Sequence, residues 1–229
     1  MDDKVKAKMK IAVFSDAHGN MPYLIKCFEK LNEYLIDELY FLGDFVGYFG
    51  KVNEVIDAFR EKKAKCIMGN HEAMMLGKIT YDNTRDQIYK LLEHKQKLTS
   101  ANFNFLSSLT DSLVLEQDGK KILFIHGSPD SHVSGYLYEC DDFSKFSRIE
   151  YDVIFMGNTH RPYIKELYGK KFVNVGSCGM PRDFGNKPSF VIFESLSNEF
   201  EIVRVPINIE NIENIYSDSH QIALNCLKR

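Results

Sequence analysis

Lys10-Ile11-Ala12-Val13-Phe14-Ser15-Asp16-Ala17-His18-Gly19-Asn20 is an apolar run that stops on polar residues and a glycine turn, ending on a residue suited to start a helix. Lys10–Ser15 reads as a short buried strand. Asn20 stands where an N-cap belongs, Pro22 falls just inside, and Leu24, Phe28, Leu31 and Leu35 follow at helical spacing. The same grammar repeats downstream. Glu38–Leu42 reads as a strand running into Gly43-Asp44. Val52, Val55, Ile56 and Phe59 mark one face of a helix, and Ala64–Met68 reads as a third strand running into Gly69-Asn70-His71. Strand–helix–strand–helix–strand is the pattern of an α/β fold with a parallel sheet covered by helices. In such sheets ligand chemistry collects at the carboxyl ends of the strands.

The pattern then changes. Residues 72–110 are polar and helical in tone, with Ile88, Leu91 and Leu92 together and a short helix over Ser100–Leu109, which suggests a helical insertion beside the site. From Asp111 the chain is strand-rich. Ser112–Gln117 and Lys121–Ile125 flank the hairpin signal Asp118-Gly119-Lys120. Val153–Met156, Tyr163–Leu167, Phe172–Val175, Ser189–Glu194 and Phe200–Val205 are further strand candidates. Ile207, Ile209, Ile212 and Ile215 recur without a clean period. No solenoid repeat and no linker rich in Gly and Pro divides the chain, so 1–229 reads as one domain.

The bulk properties exclude several classes. The 229 residues are 44% hydrophobic and 27% charged, which is neither disordered nor membrane-like. The longest apolar runs are strand-sized, so no membrane span is expected. A formal net charge of −3 argues against general nucleic-acid binding, whose footprint is basic. Met1–Lys8 is charged and lacks the apolar stretch of a secretory signal. The five Cys form no C-x-x-C pair and are odd in number, which fits a reducing, cytoplasmic setting.

What carries chemistry is position. Asp16 and His18, Asp44, Asn70 and His71, His126 and His160 each lie just past an apolar run. A charged group at the end of a buried strand packs poorly and points readily into a cleft. Asp16, Asp44 and Asn70 are each separated by one strand–helix–strand unit, so they can converge. Carboxylate, imidazole and amide oxygen suit Mn, Zn, Fe or Mg better than a metal that selects thiolates. An Asp able to bridge two ions, with His on either side, suits a dinuclear centre, in which ions about 3.5–4 Å apart clamp the attacking and leaving oxygens of an in-line displacement.

Asp16-Ala17-His18, Gly43-Asp44, Gly69-Asn70-His71-Glu72, His126-Gly127 and Gly157-Asn158-Thr159-His160, in that order and each after a strand, resemble the calcineurin-like metallophosphoesterase superfamily over roughly residues 9–205. Gly43-Asp44-Phe45-Val46-Gly47-Tyr48, Asn174-Val175-Gly176-Ser177 and Pro181-Arg182 look like its small bacterial and archaeal phosphodiesterases, a subgroup that includes diadenosine tetraphosphatase-like and phosphoprotein phosphatase-like proteins. The resemblance implies two packed mixed β-sheets flanked by helices and two divalent metal ions. Asp16, His18 and His160 would hold the first, Asp44 would bridge, and Asn70 and His126 would hold the second. His71 would face the leaving-group oxygen without binding metal. The implied activity is hydrolysis of small phosphodiesters or nucleotides by a metal-activated hydroxide. The alternatives are a phosphoprotein or dinucleoside polyphosphate phosphatase, or a non-catalytic protein-binding scaffold of the same fold. The family's usual G-H-x-H has Asn158 in place of its first His. An amide oxygen is a weaker donor to Zn or Fe than imidazole, so the second site is expected to be weaker, more Mg- or Mn-like, or filled by a water that Asn158 orients.

Three further residues are substrate candidates. Asn20 combines a cap with phosphate contact at a helix N-terminus. Arg161, directly after His160, ranks above Arg182 as a phosphate ligand. Tyr48 and Phe49 read as packing at the edge of the cleft and Cys178 as a small residue near it. His94, His132 and His220 carry no motif and read as surface residues.

Overall fold

The computed structural model describes residues 9–208 and 215–229; the charged Met1–Lys8 stretch and Ile209 and Ile212 lie outside the described residues. The chain begins β1 (Lys10–Phe14), α1 (Met21–Leu31), β2 (Glu38–Phe41), α2 (Val52–Glu61) and β3 (Lys65–Cys66). β1 runs parallel to β2 with Val13 opposite Tyr40, and β2 runs parallel to β3. Two antiparallel strands, β9 (Ser189–Glu194) and β10 (Glu199–Arg204), return to complete a sheet of order β10-β9-β1-β2-β3. The second sheet is β4-β5-β6-β8-β7, from β4 (Ser112–Gln117), β5 (Lys120–Ile125), β6 (Val153–Met156), β7 (Tyr163–Leu167) and β8 (Lys170–Asn174). Its centre is parallel and its outer pairs are hairpins. Asp118-Gly119 and Tyr168-Gly169 turn those hairpins with both central residues at positive φ, the twist a two-residue hairpin favours.

Strands buried on both faces read as continuous apolar runs. Ile11, Val13, Tyr40 and Leu42 face Ile122, Phe124, Phe155 and Val173 between the sheets. Tyr40 stacks on Phe124 there, ring centroids 3.9 Å apart. The alternate residues Ala12, Phe14, Leu39 and Phe41 pack outward with Leu24 and Phe28 of α1 and Val55 and Phe59 of α2. Each such fully buried large side chain contributes about 1.5–3 kcal/mol. Residues 70–108 form four short helices, α3 (Asn70–Met75), α4 (Asp86–Tyr89), α5 (Leu91–Lys97) and α6 (Ser100–Ser108), and Met75, Leu91 and Leu106 join the same outer layer. Leu123, Ile125, Ile154 and Phe172 on the far face of the second sheet lie under Leu137, Phe143 and Phe146.

Two local expectations fail. Leu35 is not on the face of α1 but 93% exposed beyond it. The helix stops at Leu31 because the chain must reverse and enter β2 at Glu38. The third strand is shorter than Ala64–Met68: only Lys65 and Cys66 pair with β2, while Ile67 and Met68 are buried past the ladder. In the C-terminal region, α7 (Gln221–Leu227) is capped by His220, whose ring nitrogen accepts from the Ile222 N–H at 3.1 Å. Its Ala223, Leu224 and Leu227 pack with Tyr48, Phe49, Met180 and Tyr216. No helix among the described residues is long and apolar enough to cross a membrane.

Candidate metal centre

The carboxyl ends of β1, β2, β5 and β6 deliver the loops that carry the site. Asp16, His18, Asp44, Tyr48, Asn158 and His160 all have φ between +50° and +63°. A side chain in that left-handed region costs about 1–2 kcal/mol, and such strain concentrates where geometry serves chemistry. Cross-loop bonds hold it: the Asp16 N–H donates to Gly43 O at 3.0 Å and the His18 N–H to Asp44 O at 2.9 Å. Two glycines permit the close approach. A Cβ on Gly69 would stand 2.2 Å from Asp44 Oδ1, and one on Gly157 would stand 2.7 Å from Asp16 Oδ2.

Three imidazoles are oriented alike. Nδ1 of His18, His126 and His160 lies 3.0, 2.9 and 2.6 Å from the carbonyl oxygens of Val46, Leu42 and Met180. A carbonyl only accepts, so each Nδ1 carries the hydrogen and each Nε2 turns inward, the arrangement of a metal-ligating histidine. Nε2 of His18 and His160 stand 3.2 Å apart. Asp16 Oδ1, buried with no hydrogen bond, is 3.1 Å from His160 Nε2 and 3.6 Å from His18 Nε2. Donors about 2.0–2.1 Å from one cation at ordinary ligand angles stand about 2.9–3.4 Å apart. Lone pairs converging without a proton between them fit a bound cation. Asp44 Oδ2 lies 3.6 Å from His18 Nε2 and 3.4 Å from His126 Nε2, which places it between the two groups. Asn70 Oδ1 lies 2.9 Å from His126 Nε2. Asp16–His18–His160, Asp16–Asp44–His126 and His18–Asp44–His71 can each gather one donor atom per residue around an ion.

The charges follow from burial and neighbours. Burial opposes ionisation of Asp16 and Asp44, but His160 and His126 around the first, and His126 and His71 around the second, hold both well below the usual carboxylate range. Burial also opposes an imidazolium at His126, yet Asp44 and Asp16 hold that ring up to about 9. His160 falls to about 4 through burial and the Arg182 charge, and His71 to about 3 chiefly through burial. The His71 N–H donates to Asp44 Oδ1 at 2.9 Å, while its ring Nδ1 is buried and unpartnered and its Nε2 is 3.9 Å from Asp44 Oδ2.

Glu72 closes the Gly69-Asn70-His71-Glu72 motif, and the sequence alone assigns it no role. Its buried carboxylate accepts from the N–H groups of Asp44 (2.8 Å), Gly69 (3.0 Å) and Val46 (3.1 Å) and so aims the loop that carries Asp44. Burial and the Asp44 charge push it up to about 7. The visible signal was a Glu three residues after the helix-opening Gly69. His94 is not on the surface: it is fully buried, and its Nδ1 accepts from the Gly47 N–H at 3.1 Å, steadying the loop that carries Tyr48. Its place one turn after Leu91, on the buried face of α5, is the clue.

The substrate candidates separate. The Asn20 amide is consumed within the protein: its oxygen accepts from the Tyr23 N–H and the Tyr216 hydroxyl, and its NH2 donates to Gly179 O. Arg161 is exposed, whereas Arg182 is partly buried, with Nη2 3.3 Å from the Tyr48 hydroxyl. Both line a cleft of about 870 Å³ with Thr159 and Tyr138. Arg182 lies beside Tyr48, Asp16 and His160, whereas Arg161 faces water. Cys178 is buried, its thiol pushed well up by desolvation, and all five cysteines are free. Asn158 donates its main-chain N–H to Asp16 Oδ2 at 3.0 Å and its side-chain NH2 to Gly135 O at 2.8 Å. Asn158→His is expected to tighten binding of the second ion, more for Zn than for Mg. Calorimetric titration of both proteins reads it, and identical stoichiometry and affinity would show that position 158 does not face the ion.

Residues 9–198 match the family described as the calcineurin-like phosphoesterase superfamily domain. The chain is 32% identical over 225 residues to an uncharacterized protein of Methanocaldococcus jannaschii, covering 89% of this chain and 90% of that one. It is 27% identical over 170 residues to a phosphodiesterase of the same organism, covering 74% and 84%. A metallophosphoesterase structure from Sphaerobacter thermophilus superposes with a TM-score of 0.80 at 22% identity, over 97% of this chain and 99% of that one. The converging ligands and the match over residues 9–198 lead to one conclusion: the chain belongs to the calcineurin-like phosphoesterase superfamily, a family of phosphoester hydrolases.

Proposed function

We propose that the chain hydrolyses small phosphodiesters or nucleotides at a two-cation centre held by Asp16, His18, Asp44, Asn70, His126 and His160. The observation that carries this reading is the common orientation of His18, His126 and His160, each with Nδ1 on a main-chain carbonyl and Nε2 turned toward Asp16 or Asp44. Divalent cations there would polarise the phosphoryl group and lower the pKa of the attacking water. The chain's own part is positional and electrostatic. Asp44, between the two groups and aimed by Glu72, sets the spacing of the centre. Arg182 binds a phosphoryl oxygen from the cleft side. His71, held neutral by burial, donates a hydrogen bond to the leaving oxygen as its charge develops, because no imidazolium proton is available near pH 7.

A relative named as a phosphodiesterase supports the diester reading. The experiment is elemental analysis of purified protein beside turnover of bis-p-nitrophenyl phosphate with Mn, Zn or Mg added. We expect metal at near neutral pH and turnover that depends on it. Absence of metal binding would sink the centre, and metal without turnover would favour the protein-binding scaffold.

A further inference from the structure

Tyr138 lines the cleft, and Tyr136, two residues before it, lies near Arg182. Tyr136 is 50% exposed and Tyr138 37%, while Leu137 between them is buried. Their rings lie 10° from parallel with centroids 6.2 Å apart. The segment is held from behind at alternate carbonyls. Gly135 O accepts from the Asn158 amide at 2.8 Å, Leu137 O from the Tyr163 hydroxyl at 2.8 Å, and Glu139 O from Lys165 Nζ at 2.5 Å. The Tyr138 N–H donates to Asp141 Oδ2 at 2.7 Å. The Tyr136 and Tyr138 rings share the solvent side of this segment while Leu137 turns inward. Tyr138 lines the same cleft as Arg161 and Arg182, and its volume of about 870 Å³ falls in the range of about 300–1,000 Å³ usual for small-molecule sites.

Exposed near-parallel aromatic rings on an anchored main chain offer faces on which a planar base can stack. Near-parallel rings beside two guanidinium groups match a ligand with an aromatic heterocycle at one end and a phosphate at the other. We infer that the Tyr136–Tyr138 pair is a base-stacking platform, so that the substrates are nucleoside-bearing phosphoesters, with the base on the tyrosines and the phosphate toward Arg182 and Arg161. As a statement about hydrolysis this rests on the phosphoesterase reading; as a statement about binding it does not. Asn158 gains a second role: its amide anchors Gly135, the residue before the platform.

The test is calorimetric binding of AMP, ribose 5-phosphate and inorganic phosphate to the full-length, Mn-loaded protein and to Tyr138→Ala, Tyr136→Ala and Tyr138→Phe. Stacking one base on an aromatic ring carries about a 5- to 150-fold gain in affinity. AMP should therefore bind tighter than ribose 5-phosphate by that factor. The gain should vanish in Tyr138→Ala, weaken in Tyr136→Ala and survive in Tyr138→Phe, with ribose 5-phosphate binding unchanged throughout. Equal affinity for AMP and ribose 5-phosphate in the natural sequence, no AMP binding at all, or an equal loss for both ligands in Tyr138→Ala would each overturn the platform. If AMP binds as expected while no nucleoside phosphodiester is hydrolysed, the phosphoesterase reading fails and the platform stands.

Discussion

His71→Ala keeps its metal and loses about 10²–10³-fold in kcat on an unactivated diester, the range for removing one donor aimed at developing negative charge. Asp44→Ala loses metal and activity together. The contrast follows from geometry. Asp44 Oδ2 lies within 3.6 Å of both His18 Nε2 and His126 Nε2, so its removal opens both halves of the centre. His71 Nε2 stands farther off, at 3.9 Å from the same oxygen, and its Nδ1 is buried without a partner. The loss in His71→Ala shrinks for a p-nitrophenyl ester, whose leaving group departs as a stable anion. Metal content measured beside kcat for both variants on both esters decides the matter. Equal metal loss in the two variants would make His71 a ligand, a role that the His18–Asp44–His71 grouping allows sterically. Full activity of His71→Ala on the unactivated ester would remove it from catalysis.

Affinity for the second cation rises about tenfold per pH unit up to about pH 9, because binding must displace one proton from His126. With Nδ1 donating to Leu42 O, the extra proton of the metal-free protein sits on Nε2, facing Asn70 Oδ1 at 2.9 Å and Asp44 Oδ2 at 3.4 Å. Proton and cation compete for the same place. The metal-free protein has the opposite slope. A histidine whose pKa is raised on folding stabilises fully below its unfolded value of about 6.5, and that contribution is lost as pH rises through about 9. Melting temperature of the metal-free protein should therefore fall between those pH values while metal affinity climbs. Titration in two buffers of different ionisation enthalpy counts the released proton; a pH-independent affinity with no proton release would show that His126 is neutral in the metal-free state.

The parts legible in sequence were those with a local cause. Apolar runs ending on Asp16, Asp44, His126 and His160 announced strands and placed the candidate ligands at their carboxyl ends, where a polar group can turn into a cleft. Asp118-Gly119 announced its hairpin through turn chemistry alone. The assembly of two sheets was not legible from period or spacing, since β9 pairs with β1 across more than half the chain and carries β10 on its far edge; it entered only through the family resemblance. Residues whose work is to hold others were also hidden. Glu72 and His94 satisfy main-chain donors in distant loops, and such partners leave no periodic trace. The exposure of Arg161 and the partial burial of Arg182 depend on loop paths that no propensity encodes. Leu35 shows the reverse error: helical spacing continued past the point where the chain had to turn.

The left-handed conformations at Asp16, His18, Asp44 and His160 bear on any attempt to engineer this molecule. At those positions glycine would relieve backbone strain of about 1–2 kcal/mol, but at the two aspartates it would also strip His126 and His160 of the carboxylates that face them, which opposes the gain. Selection for heat resistance in a chelating medium would thus reward loss of His18 or His160 before either aspartate and enrich robust but inert descendants. With free cation in the medium, occupancy of the centre adds its own binding free energy to folding, and the same selection would guard those residues. The salt composition of the growth or screening broth, more than the mutagenesis scheme, would decide which lineage survives.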